Sequence, residues 1–217
     1  MLNRKLYRAY NRVRDDNFSL EGLTGFDFHG KTIGVIGTGK IGSVFSTIAR
    51  GFGLNILGYD PYPSAEFQLI PDARYTELAE IWATADIISL HCPLTEQNHH
   101  LINAEAIAQF KPGMMLINTS RGGLIDTAAA IQGLKSGQIG YLGIDVYEQE
   151  ASLFFEDLSD RVIQDDVFQL LQSFPNVVIT AHQAFLTREA LHNIAEVTLN
   201  NISAFEAGVQ SGNEVVI

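Results

Sequence analysis

Short apolar runs alternate with helix-period patterns along most of the chain. Thr32–Ile36, Asn55–Tyr59, Asp86–Leu90, Met114–Asn118, Gly140–Ile144 and Val177–Thr180 have the length and composition of strands covered on both faces. Between most of them lie stretches with apolar residues at helical spacing: Lys40–Phe52, Thr76–Ala83, Ala104–Phe110 and Thr127–Ser136. Antiparallel neighbours need only a tight turn, whereas parallel ones need a crossover the size of a helix. The pattern therefore predicts an α/β fold with a doubly wound parallel sheet.

Three regions depart from this alternation. Leu2, Leu6, Ala9 and Val13 recur at helical spacing, giving the first segment one apolar stripe and a basic outer face. Residues 15–30 then read as a polar connection punctuated by Gly22, Gly25 and Gly30. At the far end a helix is expected from about Arg188 to Ala207, with Leu191, Ile194, Ala195, Thr198, Ile202 and Phe205 on one face and Gly208 just past its end. Between Tyr147 and Pro175 the pattern is irregular and acidic, which predicts a long excursion with short helices anchored by Phe154, Phe155, Val167, Phe168 and Leu170.

Composition narrows the class. The chain has 217 residues, 46% of them hydrophobic and 18% charged, enough apolar content for one large packed domain with appendages. No apolar run approaches the roughly 18 residues of a membrane span, and the first 15 residues lack the apolar region of a secretory signal. Cys92 stands alone, which excludes an internal disulfide and a multi-cysteine zinc site and favours a reducing, cytoplasmic setting. Of the 14 basic residues, five lie in residues 1–14, so the rest of the chain sets nine against 25 acidic ones. Such a body repels a phosphate backbone, and neither a nucleic acid nor a membrane is expected as partner.

Candidate chemistry begins at Gly37-Thr38-Gly39-Lys40-Ile41-Gly42, which follows one expected strand and opens a helix. In a dinucleotide-binding turn the first glycine allows the bend, the second lets backbone approach a pyrophosphate, and the third lets helix and strand pack closely. The helix start supplies unpaired N–H groups for the phosphates. Asp60 ends the next strand 18 residues after Gly42, the place of an acid that accepts hydrogen bonds from ribose hydroxyls. A carboxylate there repels a 2′-phosphate, and Pro61-Tyr62-Pro63-Ser64 offers no arginine, so NAD is the expected cofactor rather than NADP.

Ligands of such sheets lie beyond the carboxyl ends of the strands. Three groups fall there: His91–Thr95, Asn118–Gly122 and Thr180–Gln183, with Asp145, Glu148 and Glu150 after a further strand. An arginine can grip a carboxylate bidentately, and a histidine can exchange a proton near neutral pH. Arg121, a carboxylate and His182 on converging loops would suffice for chemistry on a 2-oxo acid. Glu148 competes with Glu150 for the carboxylate's place. No further His or Cys stands at ligand spacing beside His99 and His100, so no metal is assigned; Cys92 and Ser120 lack the surroundings of a nucleophile.

The blocks NFSLEGLTGF, GKTIGVIGTGKIG, DPYPSA, ISLHCPLT, NTSRGGLID, GIDVYEQE, LFFED, VIQDDVF and HQAFLT resemble the D-isomer-specific 2-hydroxyacid dehydrogenases over nearly the whole chain, and the last three resemble the D-lactate branch of that family. The resemblance implies hydride transfer between NADH and pyruvate or a similar 2-oxo acid. It implies Arg121 as the carboxylate-binding residue, His182 as proton donor and acceptor, and Glu150 as the acid that pairs with His182. As cofactor contacts it implies Lys40 and Ile41 beside Gly37, Gly39 and Gly42, then Asp60, Cys92, Pro93, Asn98, Thr119, Ser120 and Arg121, with Asp145 near the nicotinamide. Ala181 stands where many members have proline.

The resemblance also sets the expected organisation: residues 1–21 as a helix and connection at the interdomain or subunit contact, 22–187 as the NAD-binding domain, and 188–217 as a helix and tail returning towards a second domain. A substrate domain that members build from their N-terminal portion has no counterpart here. The expectation is thus an NAD-binding and residue-bearing part, inactive or nearly so alone; a non-catalytic NAD-binding or regulatory module, or a truncated fragment, are the alternatives. The implied partners are a small 2-oxo or 2-hydroxy acid and a second copy, as homodimer or higher homo-oligomer.

Overall fold

A computed structural model describes residues 1–214. The chain divides into two compact units, Met1–His182 and Gln183–Ile217, the second beginning five residues before the expected 188. In chain order the first holds α1 (Leu6–Arg14), β1 (Thr32–Ile36), α2 (Lys40–Gly51), β2 (Asn55–Tyr59), α3 (Ala65–Gln68), β3 (Ala73–Tyr75), α4 (Leu78–Thr84), β4 (Ile87–Leu90), α5 (Ala104–Ala108), β5 (Met114–Asn118), α6 (Thr127–Ser136), β6 (Ile139–Ile144), α7 (Asp166–Ser173) and β7 (Val177–Ile179). The second contains α8 (Arg188–Glu206), whose first turn is capped by the Thr187 side chain bonded to Ala190 N.

The seven strands form one sheet in the order β3-β2-β1-β4-β5-β6-β7, and every pairing is parallel. The order reverses between β1 and β4, which opens a crevice at their carboxyl ends. Successive strand residues point to opposite faces. Ile33, Val35, Ile56, Ile87 and Met115 meet Ala49, Leu54 and Phe67 on one side, while Ile36, Ile88, Leu90, Leu116 and Leu142 meet Trp82, Ile107, Phe110, Ile131 and Phe168 on the other. Each such side chain contributes roughly 1.5–3 kcal/mol by leaving water.

The expected α/β doubly wound sheet is present, with most element ends within a residue or two of those read from periodicity. Two elements escape that reading. The edge strand β3 is three residues long and α3 is one turn, capped by Ser64 Oγ, so neither is long enough to repeat its period. Two details of packing differ as well. Lys5 at φ +48 starts α1 only at Leu6, so Leu2 is buried ahead of the helix while Leu6 and Val13 stay exposed. In the excursion, Phe154, Phe168 and Leu171 are buried and Phe155, Val167 and Leu170 are exposed; Phe168 and Leu171 share one face of α7, and its other expected anchors are rotated off that face.

Candidate active site

Gly37 leaves β1 at φ +92, and a Cβ there would lie 2.4 Å from Cys92 N, so neither the bend nor the contact with the chain after β4 admits another residue. Gly42 packs its Cα against the same turn: a Cβ would fall 2.0 Å from Gly37 O. Gly39 differs, since a Cβ there would meet nothing within 4 Å. Its backbone borders open space at the start of α2, whose first turn no side chain caps. Lys40 and Ile41 are the first two helical residues, both exposed. These are the fittings of a pyrophosphate cradle: bare backbone, free amides and the positive end of a helix.

Asp60 follows β2 and points back onto the cradle. Its Oδ2 accepts from Thr38 N (2.7 Å) and Thr38 Oγ1 (3.3 Å), and its Oδ1 from Tyr62 N (2.9 Å). Thr38 Oγ1 also lies 2.6 Å from the Tyr75 hydroxyl at the end of β3. A carboxylate has about four lone-pair sites, so these contacts leave capacity for a ribose hydroxyl. Thr38 and Tyr75 have no signature in the glycine motif and were not anticipated; their hydroxyls tie three strand ends together.

The opposite wall is a hydrogen-bonded loop after β4. Asn98 holds it by donating to Pro93 O (2.7 Å) and accepting from Thr95 N (2.7 Å). Ser120 Oγ donates to Cys92 O (2.5 Å), joining this loop to the segment after β5, where Asn118 bonds both Ser120 N (3.0 Å) and Arg121 O (2.9 Å). Burial pushes the Cys92 thiol up to about 11, which leaves it protonated and unreactive at neutral pH. His91, hydrogen-bonded to Ser89 Oγ (2.9 Å) and packed on Phe45, is pushed down to about 4 by burial and is neutral. Thr119 stands between the bonded Asn118 and Ser120 on the same segment.

Arg121 is exposed after β5, with Nη1 donating to Ser120 O (2.7 Å). The next residue abuts the chain after β6: a Cβ on Gly122 would lie 2.2 Å from Tyr147 C. At the end of β6, buried Asp145 accepts from Thr180 Oγ1 (2.5 Å) and, through its carbonyl, from His182 N (2.5 Å). His182 Nδ1 lies 2.9 Å from Glu150 Oε1, and Glu150 Oε2 accepts from Tyr147 N (2.9 Å). Both side chains are about a quarter exposed. Glu148, the competitor in sequence, turns away to His100 and Thr127; burial works to raise its pKa, but the hydrogen bonds from Thr127 and His100 outweigh this and lower it.

Two further features of this edge lay beyond sequence reasoning. The Tyr147 hydroxyl donates to Asp165 (2.8 Å), which also caps α7, so the excursion braces the turn that holds Glu150. Ala181 and His182 both adopt left-handed backbone, φ +50 and +57. Proline, locked near −65°, cannot take the Ala181 conformation, so the turn into His182 differs from what a proline there would give. The Phe155 ring, also on a left-handed residue, stands 5.7 Å from the His182 ring.

Residues 1–184 match the family described as D-isomer specific 2-hydroxyacid dehydrogenase, NAD binding domain. The chain belongs to this family. It is 56% identical over 215 residues to the D-lactate dehydrogenase of Escherichia coli, matching 99% of this chain and 65% of that protein. Among solved structures it is similar to the pyruvate reductase of Chlamydomonas reinhardtii, with TM-score 0.93 and 45% identity over 98% of this chain and 64% of that one. It also resembles the Aquifex aeolicus D-lactate dehydrogenase complexed with NAD and lactic acid, with TM-score 0.86 and 36% identity over 95% of this chain and 63% of that one. The chain thus spans just under two thirds of the length of these relatives. Family membership makes this an NAD-binding domain, and the cradle and Asp60 fit that cofactor. Among the described residues no helix is long and apolar enough to cross a membrane.

Proposed function

We propose that the chain carries the cofactor-binding and proton-transferring part of an NAD-dependent D-2-hydroxyacid dehydrogenase that interconverts pyruvate, or a similar 2-oxo acid, and the D-2-hydroxy acid. The observation that carries the reading is the His182–Glu150 pair, 2.9 Å apart, at the carboxyl end of the same parallel sheet as the glycine cradle. When bound, NADH supplies the hydride that reduces the carbonyl carbon. His182 gives a proton from Nε2 to the carbonyl oxygen as that oxygen gains charge, while Glu150 holds Nδ1 and so fixes the ring. Arg121 leaves its carbonyl contact to receive the substrate carboxylate, orienting the carbonyl towards His182. In the reverse direction neutral His182 takes the hydroxyl proton.

NADH fluorescence titration of the chain and its His182→Gln variant tests the binding half, and pyruvate-dependent NADH oxidation, with and without that substitution, in a form that also carries the family's substrate domain tests the chemistry. Both bind NADH within about twofold of each other, and the substitution lowers the oxidation rate roughly a hundred- to ten-thousand-fold. Equal rates would remove His182 from proton transfer. NADH binding by the chain without pyruvate-dependent oxidation in that complete form would favour a non-catalytic NAD-binding module, and absent NADH binding would sink the cofactor assignment.

We infer in addition that the protein is a homodimer. Ile41, Val44 and Ile48 on α2, with Phe52 just past its end, form an exposed apolar stripe too continuous to be left to water. Sedimentation equilibrium should return twice the chain mass; a monomer at tens of micromolar would contradict the inference.

A further inference from the structure

We propose that His99, His100 and Glu148 form a binding site for one divalent transition ion of the zinc class, built from residues that neither the dinucleotide cradle nor the His182–Glu150 pair uses. Each offers one ligand atom, and the three atoms lie within 4.8 Å of one another. His100 Nε2 is 2.6 Å from Glu148 Oε1, and the two imidazoles stack with centroids 3.9 Å apart and planes at 27°. A tetrahedral ion held about 2.1 Å from each donor spaces its ligands roughly 3.4 Å apart. Closing the site requires the His100–Glu148 pair to open by about 0.8 Å and the exposed His99 ring to turn out of the stack so that its nitrogen faces the same point.

Two of the ligands are already fixed. The His100 backbone, at φ +53, donates its N–H to Gly123 O (2.8 Å). Glu148 uses its second oxygen to accept from Thr127 N (3.0 Å) and Thr127 Oγ1, leaving Oε1 directed at His100. A carboxylate oriented by donors of its own is the usual outer support of a metal ligand. Two imidazoles and one carboxylate select zinc, cobalt or nickel over calcium and magnesium, which prefer oxygen ligands. An ion here would join the turn after Thr95 to the turn between Tyr147 and Glu150. The site does not depend on the dehydrogenase reading.

Zinc ion titrated into the 217-residue chain, in competition with a chromophoric chelator, tests the proposal. One ion binds per chain, and His99→Ala and Glu148→Gln each weaken it at least about tenfold. His99→Ala leaves the Glu148–Thr127 bonds intact, so it decides the matter where Glu148→Gln disturbs folding. His192→Ala, which removes the exposed His192–Glu196 pair, leaves the affinity unchanged. Zero stoichiometry, undiminished affinity in His99→Ala, or loss of binding in His192→Ala alone would each overturn the proposal.

Discussion

The cradle and the proposed reactive edge of this sheet are built by different means. The cradle, from β1 through α2 to β2, consists of backbone in close approach: Gly42 against Gly37 O and Gly37 against Cys92 N leave no room for a Cβ. The reactive edge, on loops after β5, β6 and β7, consists of side chains aimed by hydrogen bonds, with left-handed residues at Ala181 and His182. A phosphate site needs amides at fixed positions, and close-packed backbone supplies them without moving parts. Proton transfer needs one side chain that can turn and recharge, which a braced but partly exposed loop permits. The difference predicts that substitutions in the cradle act on stability and binding together, whereas those at the edge act on chemistry alone.

The largest effect tests that division directly. Gly42→Val places carbon atoms inside the Gly37 carbonyl and costs about 3 kcal/mol or more, with NADH binding lost. His182→Gln, on the other side of the comparison, changes unfolding free energy by less than about 1 kcal/mol because the ring is partly exposed and an amide keeps hydrogen-bonding capacity. Urea unfolding and NADH titration of both variants give the comparison. Similar losses in the two would erase the distinction between backbone-built and loop-built halves.

The same contrast explains what could be read from the sequence. The cradle is local: three glycines, a strand before, a helix after and an acid 18 residues on all lie within Thr32–Asp60, so the motif and its geometry coincide. Strand positions were legible for a similar reason, since buried parallel strands are continuous apolar runs. At the reactive edge the paired Glu150 and His182 are 32 residues apart, and spacing along the chain could not decide between Glu148 and Glu150. The structure separates them by partner: Glu150 to His182, Glu148 to His100 and Thr127. Spacing likewise gave no sign that Glu148 stands beside His99 and His100, because it comes from a loop after another strand. The anchors of the Tyr147–Pro175 excursion were half legible, since its eight-residue helix is too short for its buried face to be phased by pattern alone.

A smaller effect sharpens the comparison by pH. His91 sits in the wall that Gly37 abuts, its ring on Phe45 of α2, so its charging disturbs the cradle side. Burial holds it at about 4 against an ordinary 6.5. The folded state therefore binds fewer protons than the unfolded state between those values. The stability this histidine permits is complete above pH 7 and is lost as pH falls through 6.5 towards 4. Between pH 7 and 5.5 the loss is about 1 kcal/mol, before carboxylates such as Asp86 and Glu148, held low by their hydrogen bonds, begin to protonate. Those groups act at lower pH, so the two windows separate. His91→Gln keeps a polar partner for buried Ser89 without a titrating ring, and urea midpoints at pH 7 and 5.5 should differ less in it than in the unaltered chain. An unchanged difference would show that His91 is free to charge in the folded state, and that the cradle wall yields to a proton as readily as the loops across the sheet.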